Sequence, residues 1–429
     1  MASSASVYTS AIAAGVADDV LERFLRYVRI DTEAVRGSDT YPSSLKQLEL
    51  CRLLRDELRE LGLDDAEVTE HGYVFATLPG VDAQGAPTVG LIAHVDTSPD
   101  APGADVKPQI WKGYDGGELA LPGNPRQILS PETSALLAER VGHDIVTSDG
   151  TTLLGADDKA GVAEIMAAVA YLVAHPELPR APVRVGFTVD EEVGAGTAHF
   201  DIEAYGADFA YTLDGQRVGE IENETFSALG VDVVFRGRGV HPGTSKGKMV
   251  NAVKLAAEFV ARLPKDRLSP ETTEGREGFI HPAYTSGGIE DARVTLIVRD
   301  FEWDLLQQHE ELVRRLAEET VAGTPHASVT VDSRVQYRNM RETLERFPRV
   351  VEAAVEAVRR VGLEPKRGLN RGGTDGSVLT EKGLPTPNIL TGGNEYHSLC
   401  EWISAQDLAI ATATIVELVR LWSEPDWRL

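Results

Sequence analysis

Apolar residues recur along the chain at two spacings, and the alternation between them predicts the elements. Val20, Leu21, Phe24, Leu25 and Val28 follow Asp18 and Asp19 at helical spacing, which predicts an amphipathic helix over 18–28. A second helix is predicted from Ser43 or Ser44 to Leu61, with Leu45, Leu48, Leu54, Leu58 and Leu61 on its inner face and Gly62 as its stop. Two apolar runs of strand length follow, 73–78 and 89–95, separated by a turn-rich stretch from Pro79 to Pro87. The second contains Gly90-Leu91-Ile92-Ala93, reads as a buried strand, and leads into His94-Val95-Asp96-Thr97. Residues 97–150 are rich in Pro, Gly and Asp without a sustained period, which predicts a long surface excursion. A strongly apolar helix over 162–174, a strand over 183–189 running into Asp190-Glu191-Glu192, and a strand over 209–213 ending on Asp214 complete a first segment.

After about residue 223 the pattern changes to strand 226–235, helix 249–263, strands 278–284 and 293–298, helix 302–321 and strand 328–337. That order is the split β-α-β-β-α-β layout of a ferredoxin-like sandwich. Helix 350–361, strand 387–391 and helix 406–422 then resume the earlier alternation. The expected fold is α/β: a mixed sheet flanked by helices, built from 1–223 and 339–429, with an inserted ferredoxin-like α+β domain at 224–338. Sites in such sheets lie beyond the carboxyl ends of the strands.

At 429 residues the chain is too long for one hydrophobic core, in keeping with two domains. Its net charge of -25, from 67 acidic and 42 basic side chains, argues against nucleic acid or an anionic membrane as the main partner. Cys51 and Cys400 are far apart and lack metal-type spacing, which fits a reducing cytosol, each reading as an inert buried thiol. Met1 to Val16 has neither a basic n-region nor a sustained apolar core. It is expected to be a flexible or loosely docked extension, and the protein is placed in the cytoplasm with no membrane span.

Candidate chemistry begins at His94 and Asp96, which share one face of a strand, so one can ligate a metal while the other orients it. Asp157, Glu192, Asp214 and His397 fall where strands end or Gly-rich loops begin. Two imidazoles with three carboxylates suit two zinc-like ions bridged by one carboxylate, whereas calcium would not use the histidines. No His-Glu-x-x-His helix occurs. Glu191 and Glu192 are neighbours at a strand end and point apart, so one can bind metal while the other faces a water. The plainer readings are an exposed glutamate pair on a turn and an Asp96 that caps a loop.

The stretches His94-Val95-Asp96-Thr97-Ser98-Pro99-Asp100, Gly155-Ala156-Asp157-Asp158-Lys159-Ala160-Gly161, Asp190-Glu191-Glu192, Thr212-Leu213-Asp214-Gly215, His241-Pro242-Gly243 and Asn394-Glu395-Tyr396-His397 together resemble the M20 family of co-catalytic zinc peptidases. The likeness covers nearly the whole chain after the first dozen residues, and within the family it is to the aminopeptidases that cleave tripeptides. It implies a zinc-peptidase-like sheet with the inserted domain as a lid. It also implies two Zn2+ per subunit, with Co2+ or Mn2+ open as substitutes: Asp157 bridges, His94 and Asp214 complete one shell, and Glu192 and His397 the other. Glu191 would be the general base, Asp96 would hold the tautomer of His94, and His241 would stabilise the oxyanion from its own or a partner subunit. Arg299 or Arg371 would hold the carboxylate of a short peptide and Asn251 would touch it, although surface ion pairing and helix capping are equally open for these three. A homodimer through the lid is compatible with the likeness. The alternatives are another M20-type amide hydrolase, such as a dipeptidase or an N-acyl-amino-acid deacylase, and a non-catalytic peptide-binding protein on the same fold.

Overall fold

Ser10, whose hydroxyl accepts the backbone N–H of Ala13 at 3.1 Å, caps a helix at Ala11–Tyr27. The helix starts well before Asp18, and Ala13, Val16 and Ala17 are buried. Residues 11–16 are therefore packed helix rather than a loose extension. The chain is described over residues 7–428 in a computed structural model, so Met1 to Ser6 of that extension lie outside the described residues.

Two compact units are present: residues up to Asn223 with Thr343–Gly368 and Thr374 onward, and Glu224–Glu342 with Leu369–Gly373. The first holds an eight-stranded mixed sheet in the order Glu67–Val68, Val74–Leu78, Val183–Thr188, Val89–His94, Phe209–Gly215, Asn388–Leu390, Glu220–Thr225, Lys366–Asn370. Val89–His94 is parallel to both its neighbours. The helices Ala11–Tyr27, Ala156–Ala174 and Ala405–Leu421 pack on one another, and Ala156–Ala174 also packs against Val89–His94 and Phe209–Gly215.

The stretch expected to be an irregular excursion forms part of a second, four-stranded sheet in the order Gly393–Asn394, Trp402–Ser404, Ile145–Thr147, Gln109–Trp111. Its buried cluster gathers Tyr114, Leu119, Leu129, Leu137 and Ile145 around Trp402. Strands this short leave no alternation to read, but they tie residues 109–147 to the turn that carries His397.

The second unit has the four-stranded antiparallel order Phe279–Gly287, Asp291–Asp300, Ser227–Arg236, Ser328–Tyr337. Along Asp291–Asp300, Ala292, Val294, Leu296 and Val298 are buried and alternate with Arg293, Thr295, Ile297 and Arg299. The helices Ala252–Arg262 and Trp303–Val321 pack on the sheet through Ala252, Leu255, Phe259, Leu306 and Val313. Among the described residues, no helix is long and apolar enough to cross a membrane.

Candidate metal centre

Three parallel strands of the first unit end at one edge of the sheet, and that edge carries His94, the turn Asp190–Glu192 and Asp214. Asp157 arrives from the loop before the helix Ala156–Ala174, whose regular geometry is interrupted at Asp157 and Asp158. Gly155 takes φ 83° there, a left-handed turn that glycine enters without steric penalty. A Cβ on Gly161 would stand 2.2 Å from the carbonyl oxygen of Leu213, so only glycine lets this helix approach the strand carrying Asp214.

His94 is buried, with Nε2 3.0 Å from Asp157 Oδ1 and 4.0 Å from Asp214 Oδ1. Its Nδ1 lies 3.1 Å from the backbone carbonyl of Asp96 and 3.4 Å from that residue's carboxylate. A carbonyl only accepts, so Nδ1 carries the proton and Nε2 turns toward Asp157. Across the shared carboxylate, His397 Nε2 lies 3.2 Å from Asp157 Oδ2 and 3.0 Å from Glu192 Oε2. Donor atoms of His94, Asp157 and Glu192 fall within 4.8 Å of one another, as do those of His94, Asp158 and Asp214.

Electrostatics make the cluster a poor resting place for carboxylates alone. Burial, reinforced by Asp157, pushes Glu192 up to about 7 and raises Asp214 well above the ordinary carboxylate range. Glu191 is likewise raised, by burial and then by Asp214, Asp375 and Glu192, the charge of His94 opposing. Asp157 goes the other way: burial would raise it, but the two imidazoles hold it below its usual value. Burial lowers His397, yet hydrogen bonds to Asp157 and Glu192 outweigh it and push the ring up to about 11. The second oxygen of Glu192, Oε1, is buried without a hydrogen-bond partner. An orphaned carboxylate oxygen beside two imidazole nitrogens and two further carboxylates is a donor set that fits divalent zinc-like ions.

The surrounding carboxylates do different work. Asp96 accepts the backbone N–H groups of Glu191 and Glu192, each at 3.1 Å, and so fixes the turn that carries both. Asp190, at φ 62°, is held by the N–H of Ser43 at 2.5 Å, by the hydroxyl of Ser43 and by Gln47 Nε2 at 2.6 Å. Asp158 accepts the N–H of His94 at 3.1 Å and of Gly161 at 3.2 Å. Glu401 accepts three backbone N–H groups from the loop around Asp157, and Asp100 Oδ2 stands 3.5 Å from His397 Nδ1. Neither supporting role follows from a spacing rule, although Asp100 lies within the His94 motif and Glu401 is four residues past His397.

The other four candidates belong to the second unit. His241 is exposed, and its Nδ1 accepts the N–H of Gly243 at 3.1 Å, which leaves the proton of the neutral ring on Nε2. Asn251 caps the helix Ala252–Arg262 by accepting from Val253 at 3.0 Å and Lys254 at 3.4 Å. Arg371 donates to the carbonyls of Thr273, Gly275 and Glu277 and lies over the ring of Phe226. Arg299 donates to the carbonyls of Leu229 at 3.3 Å and Val298 at 3.1 Å and lies over Tyr337.

Residues 148–421 match the family model described as Peptidase family M20/M25/M40. The protein named Peptidase T from Geobacillus sp. is 44% identical over 407 residues, which is 95% of this chain and 99% of that protein. The crystal structure of aminopeptidase PepT from Bacillus cereus superimposes with a TM-score of 0.71 at 24% identity, covering 95% of this chain and 99% of that one. The YXEP protein of Bacillus subtilis, described as a dinuclear metal-binding peptidase of the M20 family, gives a TM-score of 0.62 at 18% identity over 95% of this chain and 98% of that one.

Proposed function

The chain belongs to peptidase family M20/M25/M40, and from that premise we propose that it is a metallo-aminopeptidase removing the N-terminal residue from tripeptides. The observation that carries the reading is that the imidazoles of His94 and His397 both meet the one carboxylate of Asp157, with Asp214 4.0 Å from His94, Glu192 3.0 Å from His397 and Glu191 on the same turn as Glu192. His94, Asp157 and Asp214 would hold one Zn2+, and Asp157, Glu192 and His397 the other. When bound, such a pair polarises the scissile carbonyl and makes water a nucleophile near neutral pH. Glu191 takes the proton of the attacking water and returns it to the leaving amine. Burial suits it to this, because a carboxylate whose charge is disfavoured binds a proton more strongly. His241, of this chain or of a partner subunit, would donate the proton on its Nε2 to the oxyanion.

The substrate-facing assignments narrow. Asn251 spends its side-chain oxygen on the cap of its own helix, and its role is read as capping rather than as contact with the peptide. Arg299 and Arg371 both donate to main-chain carbonyls of their own unit, and either would pair with the peptide's terminal carboxylate.

Hydrolysis of Ala-Ala-Ala and of an N-acyl amino acid by wild type and Glu191→Gln, with metal content measured on both proteins, tests the reading. Wild type should cleave the tripeptide, and the variant should lose about 10²-fold or more in kcat at unchanged metal content. Cleavage of the acylated amino acid alone would transfer the chain to another M20-type amide hydrolase. Equal and negligible rates in both proteins would make it a peptide-binding protein.

A further inference from the structure

We propose that Glu401 is a positioning residue for the metal centre, locking the Asp157 loop to the segment that delivers His397; the proposal rests on the metal-site reading above. Its side chain is essentially excluded from solvent, at 1% exposure for the residue. Oε2 accepts the backbone N–H of Leu154 at 2.7 Å and of Gly155 at 2.8 Å, and Oε1 accepts that of Asp157 at 3.0 Å. A buried carboxylate with three N–H donors is held rigidly, since every displacement stretches charge-assisted bonds.

What these bonds join matters more than their number. Leu154, Gly155 and Asp157 form the turn into the helix Ala156–Ala174, where the first N–H groups of the helix have no carbonyl of their own. Glu401 supplies the missing acceptor from 244 residues further along the chain. On its own side it lies four residues after His397 and immediately before the strand Trp402–Ser404, which pairs with both Gly393–Asn394 and Ile145–Thr147. The turn carrying His397 is thus anchored by a sheet through its ends, and Glu401 fastens that sheet to the backbone of Asp157. Asp157 Oδ2 and His397 Nε2, 3.2 Å apart, come from the two segments that Glu401 joins. Ligand orientation by such outer hydrogen bonds commonly changes metal affinity 10–100-fold.

Glu401→Gln isolates the effect. The carboxamide keeps the shape but offers a single acceptor oxygen; with that oxygen on Leu154 and Gly155, its NH2 faces the N–H of Asp157, donor against donor. Zn2+ affinity of the full chain is measured by competition with a chromophoric chelator, alongside the visible absorption of the Co2+-loaded protein and far-UV circular dichroism. The expected result is a 10–100-fold weaker Zn2+ affinity and an altered Co2+ band with an unchanged dichroism spectrum. A wild-type affinity and band in the folded variant would overturn the proposal. If Glu401→Gln does not fold, Glu401→Asp, which keeps the charge and both oxygens but withdraws them by one methylene, takes the same measurements; weaker affinity supports the proposal and wild-type affinity overturns it. Wild-type protein that binds no metal would instead overturn the metal-site reading, an outcome distinct from unchanged affinity in a variant.

Discussion

Replacing Asp96 by Asn tests whether the turn carrying Glu191 and Glu192 depends on a carboxylate beneath it. Asp96 is fully buried, and its two oxygens each accept one N–H, from Glu191 and Glu192, at 3.1 Å. Asparagine preserves the volume but turns one acceptor into a donor, leaving one buried N–H facing an NH2. Losing one charge-assisted bond removes about 1.5–3 kcal/mol, and the unpaired donor adds about 1–3 kcal/mol. The sum, about 2.5–6 kcal/mol, is a substantial part of the roughly 5–15 kcal/mol that stabilises a domain. The turn can escape part of it by moving, and a shift on the order of 1 Å at Glu191 lowers turnover by about 10²-fold. The assay is urea unfolding of the metal-free chain together with kcat and KM for a tripeptide. The expected pattern is a lower urea midpoint and lower kcat with KM little changed, because Asp96 itself faces the turn rather than the peptide. A variant with the wild-type midpoint and wild-type kcat would refute the reasoning.

Three further outcomes are expected. Burial pushes Asp407 up to about 6 against the pull of Arg140, whose Nε lies 2.6 Å away. A carboxyl raised above its unfolded value loses stability as pH climbs from about 3.9 through that raised value, so Arg140→Met, which lifts it further, should cost little near pH 5 and about 2–3 kcal/mol by pH 8, the two pH units above 6 setting the ceiling at about 1.4 kcal/mol each; equal losses in urea unfolding at both pH values contradict this. Asn251→Ala should lower stability by about 1 kcal/mol through the lost cap and leave KM for the tripeptide unchanged, whereas a raised KM would restore Asn251 to the substrate site. Asp214→Asn should abolish one metal equivalent yet raise the urea midpoint of the metal-free chain at neutral pH, since burial and Asp157 raise Asp214 and its ionised form opposes folding; a lower midpoint counts against it.

The helix and strand order was legible because the apolar residues do the folding. Val350, Val351, Ala354, Ala357 and Val358 announce the helix Pro348–Arg360, and the alternation of Val294, Leu296 and Val298 announces its strand. The small alanines at the start of Ala11–Tyr27 bury little area and give a weak period, which hides its first turns and the cap at Ser10 from the sequence pattern. The strands Glu220–Thr225 and Lys366–Asn370 were missed for a different reason: they lie at the end of the sheet order and carry Glu220, Glu222, Glu224, Lys366 and Arg367 in place of an apolar run. In the candidate site, residues at strand ends could be nominated from position alone. Glu401 and Asp158 could not, because a carboxylate that serves backbone N–H groups leaves no partner side chain in the sequence to betray it.

That distinction explains how one edge of a sheet tolerates so many acids. Asp96, Asp158, Asp190 and Glu401 all direct oxygens at backbone N–H groups, which neutralise part of their charge and fix the loops in return. Asp157 and Glu192 instead meet imidazole nitrogens, Asp214 approaches one at 4.0 Å, and Glu192 keeps an oxygen with no partner at all. A carboxylate oxygen engaged by the backbone is held in place, and one left without a partner beside other carboxylates opposes folding unless a cation offsets it. The first group therefore makes the second possible: it supplies the rigidity that keeps like charges from moving apart. The residues that set the geometry of such a centre are then to be sought among acids whose hydrogen bonds run to the main chain, one layer behind those that face each other.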